Sequence, residues 1–191
     1  MNNVLEIIKK NFTPYRAIFE RDLIKLGLSK SDIESALQEN VFEEVKYDFN
    51  FDFGKVYTLV EYSNLLKEYT KVDELSKEDL EYFFIGSSYE FGYFSGFAGL
   101  NKLGVSNQVC NDLEVSSTLV TDEISFKTYS GILTIKPVKE SSKYIMYAGA
   151  INNYFDYFDI SNQELRKLLK NLGLDENTLS RIITKEGIFL L

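Results

Sequence analysis

The segment that decides the fold is SKSDIESALQENVFEEVKYDFNFDFGKVYTLV, which occupies residues 29–60. In its first part, apolar side chains follow Ser29 at helical spacing. Serine is common at the position that immediately precedes a helix. From Val45 the pattern changes, because apolar and polar residues then alternate strictly as far as Phe53. This period of two predicts a strand, and Gly54 predicts the turn into a return strand that begins near Val56. The segment is therefore typical of a helix followed by a β-hairpin.

The residues before this segment predict two further helices. A first helix begins near Val4 and ends before Pro14, which interrupts helical hydrogen bonding. A second helix is predicted from about Tyr15 to Leu26, and Gly27 ends it. Three helices followed by a hairpin is the order of a winged helix-turn-helix domain, which we expect over residues 1–60. In that arrangement the third helix enters the major groove of DNA and the hairpin lies along the phosphate backbone.

The outward face of the third helix and the hairpin supply the candidate DNA contacts. Serine and glutamine side chains can bond to base edges, and lysine side chains can bond to phosphates. The residues expected to contact DNA are Lys30, Ser31, Ser35, Gln38, Lys46 and Lys55. Phosphate would repel Asp32, Glu34 and Glu39 on the same helix. A winged helix that binds protein instead of DNA therefore remains an open alternative.

The rest of the chain predicts a helical connector over 61–90 and a second domain over 91–191. Ser76 and Asp79 have the spacing of a helix start, and a short helix is predicted at about Ser95–Leu103. Residues 109–147 are rich in valine, isoleucine, threonine and tyrosine, and they predict three or four short antiparallel strands. Further helices are predicted after residue 150. The expected fold class is α+β, with a small antiparallel sheet flanked by helices in the second domain.

Composition argues against most kinds of enzyme site. The chain contains no histidine and a single cysteine, Cys110. Nucleophile–histidine pairs and zinc sites built from histidine or several thiolates are therefore excluded. We expect a protein that is not an enzyme and needs no metal or cofactor. No apolar run is long enough to span a membrane, and no secretory signal is visible, so we expect a cytoplasmic protein without a membrane partner.

Charge is distributed unevenly along the chain. The net charge is −8, but residues 1–30 carry six basic and three acidic side chains, so that the remainder carries −11. An acidic surface favours basic partners and disfavours nucleic acid. It motivates an alternative function, an acidic protein inhibitor from a mobile element that blocks the nucleic-acid-binding site of a host or defence protein.

One motif in the second domain resembles a known family. It consists of Tyr93-Phe94-Ser95-Gly96 and, after a short gap, Leu103-Gly104-Val105-Ser106-Asn107-Gln108-Val109. This pattern resembles the AbiEi family of antitoxins and transcriptional regulators, whose winged-helix N-terminus also matches the layout predicted for residues 1–60. In the hairpin, Gly54 and Tyr57 agree with the family, whereas the family's arginine is missing and Asp52 is nearby.

The resemblance implies a regulator from a toxin–antitoxin system. Its N-terminal domain would bind operator DNA and repress its own operon. Its C-terminal domain would counteract a nucleotidyltransferase-like toxin, although not necessarily in a stable complex. Within the aromatic run 154–158, Tyr157 is the residue expected to be exposed and to contact a protein partner.

Overall fold

The computed structural model describes residues 2–12, 16–59, 75–104, 106, 110–142, 145–147, 149, 170 and 177. The chain divides into two compact units, Met1–Asp79 and Leu80–Leu191. The division falls inside the stretch 61–90 that the sequence predicts as a connector. As predicted, the protein combines helices with β-sheets, and two sheets are present.

Among its described residues before 60, the first unit contains three helices and a three-stranded sheet. In chain order its described elements are α1 (Asn2–Asn11), β1 (Ile18–Phe19), α2 (Glu20–Lys25), α3 (Lys30–Gln38), β2 (Phe42–Glu44) and β3 (Val56–Leu59). The strand order is β1-β3-β2, and both pairings are antiparallel. Strand β3 is therefore central, although β1 and β2 precede it in the chain.

The short strand β1 corrects the prediction of a continuous second helix from Tyr15 to Leu26. Ile18 and Phe19 pair with Tyr57 and Val56 instead of starting the helix. A β-branched and an aromatic residue suit this buried strand, and each is only 1% exposed. Helix α2 begins only at Glu20, whose backbone N–H donates to the carbonyl of Lys55 at 3.0 Å.

Helix α3 begins as its sequence predicts. Ser29 and Asp32 form a capping box, in which each side chain binds the other residue's backbone N–H. Ile33 and Ala36 face inward and belong to the hydrophobic core of this unit. The remaining buried members of that core are Ile8, Ile18, Leu23, Leu28, Phe42, Tyr57 and Leu59.

The predicted strand over Val45–Phe53 is wrong. The ladder of β2 ends at Glu44, and residues 45–55 form a loop that connects β2 to β3; we call it the aromatic loop. Its alternation nevertheless has a structural meaning, because the even-numbered residues of 46–52 are exposed while the odd-numbered aromatic residues are buried or half-buried. The aromatic rings therefore lie on the sheltered side of the loop, although the loop does not pair with a strand.

The second unit contains a four-stranded sheet with two described helices before or between its strands. In chain order the elements are α4 (Lys77–Ile85), which begins in the first unit, β4 (Gly92–Ser95), α5 (Gly96–Lys102), β5 (Leu113–Ser117), β6 (Ile124–Thr128) and β7 (Gly131–Pro137). The strand order is β4-β5-β7-β6.

This second sheet is mixed, which corrects the prediction of an antiparallel sheet. Strands β4 and β5 are antiparallel, as are β6 and β7, but β5 and β7 run parallel to each other. The parallel pair arises because β6 lies at the edge of the sheet and returns the chain through a two-residue turn, Tyr129-Ser130. Strand β7 then occupies the place beside β5, pointing in the same direction.

A buried hydroxyl and a glycine make close local contacts in the second unit. The Oγ of Ser117 donates to the carbonyl of Phe84 at 2.8 Å and lies 3.1 Å from the carbonyl of Phe91. A side chain at Gly99 would place its Cβ only 2.6 Å from the carbonyl of Phe94, so this glycine permits α5 to pack closely on β4. Within the described part of the chain, no helix is long and apolar enough to cross a membrane.

Candidate nucleic-acid interface

The outward face of α3 presents uncharged polar side chains along its centre. A helix turns by about 100° per residue, so the face opposite Ile33 and Ala36 carries a stripe of three residues. These are Ser31, Ser35 and Gln38, and all are exposed. The exposed acids Glu34 and Glu39 lie on opposite edges of this stripe. The centre of the face can therefore donate and accept hydrogen bonds, while its edges are negatively charged.

The six residues predicted to contact DNA are all exposed. Four of them lie on α3, namely Lys30, Ser31, Ser35 and Gln38. The structure brings the other two close to each other, because Val45 donates its backbone N–H to the carbonyl of Val56 at 2.7 Å. Lys46 and Lys55 follow this link, one on each arm of the aromatic loop. The seventh predicted site residue, Tyr157, lies outside the described residues.

The N-terminus of α3 is occupied by a carboxylate from its own chain. Asp32 accepts hydrogen bonds from the Oγ of Ser29 at 2.6 Å and from its backbone N–H at 2.8 Å. These two bonds, the side-chain bond first, lower the pKa of Asp32 below its ordinary value. A phosphate at this helix end would meet a negative charge, so anion contacts there depend on the side chains of Lys30 and Ser31.

The aromatic loop folds around one buried ring. Phe53 is only 5% exposed, and its centroid lies 5.2 Å from that of Tyr47 and 4.9 Å from that of Phe51. Phe49 and Phe19 lie slightly farther away, at 6.1 Å and 6.5 Å. Sequence reasoning missed this cluster, because alternating aromatic residues are more often the signature of a sheet face.

The segment 30–55, which contains α3 and the aromatic loop, is acidic overall. Its three lysines are Lys30, Lys46 and Lys55. Its seven acids are Asp32, Glu34, Glu39, Glu43, Glu44, Asp48 and Asp52, and none of them is fully buried. The net charge of −4 weakens any attraction to phosphate and makes the placement of the three lysines decisive.

A buried phenol lies in the core beneath this surface. Tyr57 is fully buried, and its hydroxyl has no hydrogen-bond partner among the described residues. Burial, reinforced by the negative charges of Glu20, Glu44 and Glu34, raises the pKa of Tyr57 to about 12. The phenol therefore stays neutral at physiological pH, and it packs against Phe42 with ring centroids 4.8 Å apart.

The described residues offer no cluster of three or more histidine, cysteine, aspartate or glutamate side chains suited to a metal ion. No protein-family model, curated protein or solved structure was found to match this chain. The described features that bear on function are therefore the outward face of α3 and the two lysines of the aromatic loop.

The motif that resembles the AbiEi family lies in the second unit and takes part in its packing. Tyr93 to Ser95 belong to β4, and Gly96 opens α5 with a positive φ of 56°. Gly104 follows α5 with φ of 67°, a conformation that glycine adopts more readily than other residues. Val105 and residues 107–109 of the motif lie outside the described residues. The described part of the motif thus has a structural role in forming a turn and a close helix–strand contact.

Proposed function

We propose that the first unit is a winged helix-turn-helix that binds operator DNA, and that the protein is an antitoxin-like regulator of its own operon. The observation that carries this proposal is the element order α1-β1-α2-α3-β2-β3 with β3 between β1 and β2. Helices α2 and α3 are joined by four residues, 26–29, which include Gly27 with a positive φ of 88°. A turn of this length containing glycine is characteristic of helix-turn-helix motifs.

In this proposal the contacts divide by chemistry. Ser31, Ser35 and Gln38 would read base edges, because they form the outward stripe of the helix that enters the major groove. Lys30, Lys46 and Lys55 would bind phosphates and fix the register of the protein on the duplex. The acids that flank the stripe would keep binding weak, so that affinity depends strongly on these three lysines.

The test is binding to the DNA immediately upstream of the protein's own coding sequence. Wild type is compared with the triple variant Lys30→Ala/Lys46→Ala/Lys55→Ala by fluorescence anisotropy and footprinting. A matched control removes three other exposed lysines, Lys127, Lys139 and Lys170, and therefore changes the net charge equally. We expect a footprint for wild type and for the control variant, but not for the Lys30/Lys46/Lys55 variant. An equal loss of affinity in both variants would show that only net charge matters.

The toxin-opposing role belongs to the second unit in this proposal, and only its resemblance to AbiEi antitoxins supports that part. Operator binding and toxin opposition should then be separable. The triple lysine variant would fail to repress a reporter fused to the upstream DNA, yet it would still protect cells from the toxin. Loss of both activities in a stably folded variant would argue against this division of labour.

A second candidate function is favoured by the charge of the same surface. The net charge of −4 over residues 30–55 would attract a basic protein. The protein would then be an acidic inhibitor that covers a nucleic-acid-binding site on another protein. Its signature is opposite to that of the regulator, because Glu34→Gln/Glu39→Gln would weaken inhibition of such a protein, whereas the same change would strengthen operator binding.

A further inference from the structure

The aromatic loop is closed by a single phenol. The hydroxyl of Tyr47 donates to the carbonyl of Gly54 at 2.8 Å and accepts from the backbone N–H of Phe53 at 3.1 Å. These two bonds join residues six and seven positions apart, so they tie one arm of the loop to the other. The turn between the arms is fixed in addition by the backbone N–H of Gly54, which donates to Oδ1 of Asp52 at 2.8 Å.

The two lysines of the loop lie between this closure and the start of the sheet. On the side of the sheet, the backbone of Val45 is bonded to that of Val56 at 2.7 Å. On the side of the turn, Tyr47 holds the carbonyl of Gly54. Lys46 and Lys55 are the residues enclosed by these links, one on each arm. The carbonyl of Lys55 also accepts from Glu20 at the start of α2, which fixes its backbone from the other direction.

We propose that the Tyr47 hydroxyl is a positioning group that keeps Lys46 and Lys55 in place for contact with DNA phosphates. The inference rests on the proposed function, and it adds a residue that touches neither bases nor phosphates in that proposal. A loop held in its binding geometry avoids the entropic cost of ordering when the partner arrives. This matters on a surface of net charge −4, where misplaced lysines would leave the neighbouring acids closest to the phosphates.

The hydroxyl can be removed without removing the ring. The ring of Tyr47 contacts Phe53 edge-on, with an interplanar angle of 86°, and phenylalanine at position 47 would preserve this contact. Tyr47→Phe therefore isolates the two hydrogen bonds from the packing of the cluster. Tyr129→Phe is the matched control, because Tyr129 lies fully exposed in the turn between β6 and β7.

The experiment combines hydrogen exchange of residues 46–55 with binding to the upstream DNA at low salt. Two hydrogen bonds of ordinary net strength correspond to an increase of about 5-fold to 150-fold in loop opening. We expect Tyr47→Phe to accelerate exchange at Phe53 within that range and to weaken DNA binding about as much as Lys46→Ala/Lys55→Ala does. Tyr129→Phe should change neither quantity, and adding Tyr47→Phe to the double lysine variant should weaken binding no further.

Three outcomes would overturn the inference, and they have different meanings. Unchanged exchange in Tyr47→Phe would show that the hydroxyl does not close the loop. Faster exchange with undiminished affinity, while Lys46→Ala/Lys55→Ala does weaken binding, would show that closure does not position the lysines. No binding by wild type, with faster exchange in Tyr47→Phe, would refute the proposed DNA function while leaving the closure of the loop established.

Discussion

Replacing Tyr57 by phenylalanine should stabilise the first unit, although the residue is fully buried in its core. Most large-to-small changes in a core are destabilising, but this one removes only a hydroxyl that has no hydrogen-bond partner among the described residues. A buried polar group left unsatisfied costs about 1–3 kcal/mol, whereas the ring and its contact with Phe42 are retained. We expect Tyr57→Phe to raise the free energy of unfolding at pH 7 by about 1 kcal/mol, within the range that this cost allows.

The same residue predicts how stability changes at alkaline pH. The folded state raises the pKa of Tyr57 to about 12, compared with about 10 for an exposed tyrosine. Folding therefore favours the neutral phenol over the ionised one. Below pH 10 the phenol is neutral in both states, and the free energy of unfolding then falls as pH rises from 10 to 12, because the unfolded state ionises first. With 1.36 kcal/mol for each unit, wild type should lose about 2–3 kcal/mol relative to Tyr57→Phe across that interval.

Urea titrations at a series of pH values measure both effects. Tyr129→Phe serves as the control, because an exposed tyrosine should affect neither the stability at pH 7 nor its alkaline decline. Two results would refute the reasoning. One is a loss of more than about 1 kcal/mol in Tyr57→Phe at pH 7, which would mean that the hydroxyl is well bonded. The other is an alkaline decline of equal size in wild type and variant.

The remaining predictions concern the acidic edges and the internal ties of the fold. Glu34→Gln and Glu39→Gln should each strengthen binding to the upstream DNA by about 2-fold to 5-fold at low salt, because each removes a charge that repels phosphate; anisotropy titrations would contradict this if affinity fell. Asp79→Ala should destabilise the first unit by about 2 kcal/mol. Its carboxylate accepts hydrogen bonds from the backbone N–H groups of Ser76 and Ala17 and from the Oγ of Ser76. A change below about 0.5 kcal/mol in urea unfolding would show that these bonds are dispensable. Ser117→Ala should cost the second unit about 1–3 kcal/mol, because it leaves the buried carbonyl of Phe84 without its hydroxyl donor. An unchanged thermal midpoint would count against that assignment.

The sequence predicts local features of this fold well where the cause is local. The capping box of α3 depends on two residues three positions apart, Ser29 and Asp32, and both partners are visible in the sequence. The same reasoning applies to Ser76 and Asp79 at the start of α4. The exposure of the outward stripe of α3 also follows from helical spacing alone.

Features that depend on distant partners could not be predicted in this way. Two residues are too few to show a period, and the pairing of Ile18 and Phe19 with Tyr57 and Val56 is what makes them a strand. The parallel pairing of β5 with β7 depends on which edge of the hairpin meets β5. The local pattern of apolar and polar residues indicates neither of these strand pairings.

The aromatic loop shows how a correct pattern can lead to a wrong element. The alternation from Val45 to Phe53 does separate two sides of the chain. The rings of Tyr47 and Phe51, however, pack against Phe53 and not against a sheet. The six residues predicted to contact DNA are exposed, and their role in binding stays a prediction. The phenol of Tyr47 was missed, because its role depends on closing a loop that the sequence presents as a strand.

The most direct test of the proposed function is the salt dependence of binding to the upstream DNA. Each phosphate contact contributes about −0.9 to the slope of log K against log salt, so three lysine contacts account for about −2.7. If the protein binds operator DNA as proposed, binding is saturable and its slope becomes less steep by roughly that amount in Lys30→Ala/Lys46→Ala/Lys55→Ala. Absence of binding at the lowest salt concentration, or a slope that the triple substitution leaves unchanged, would contradict it and favour the acidic inhibitor.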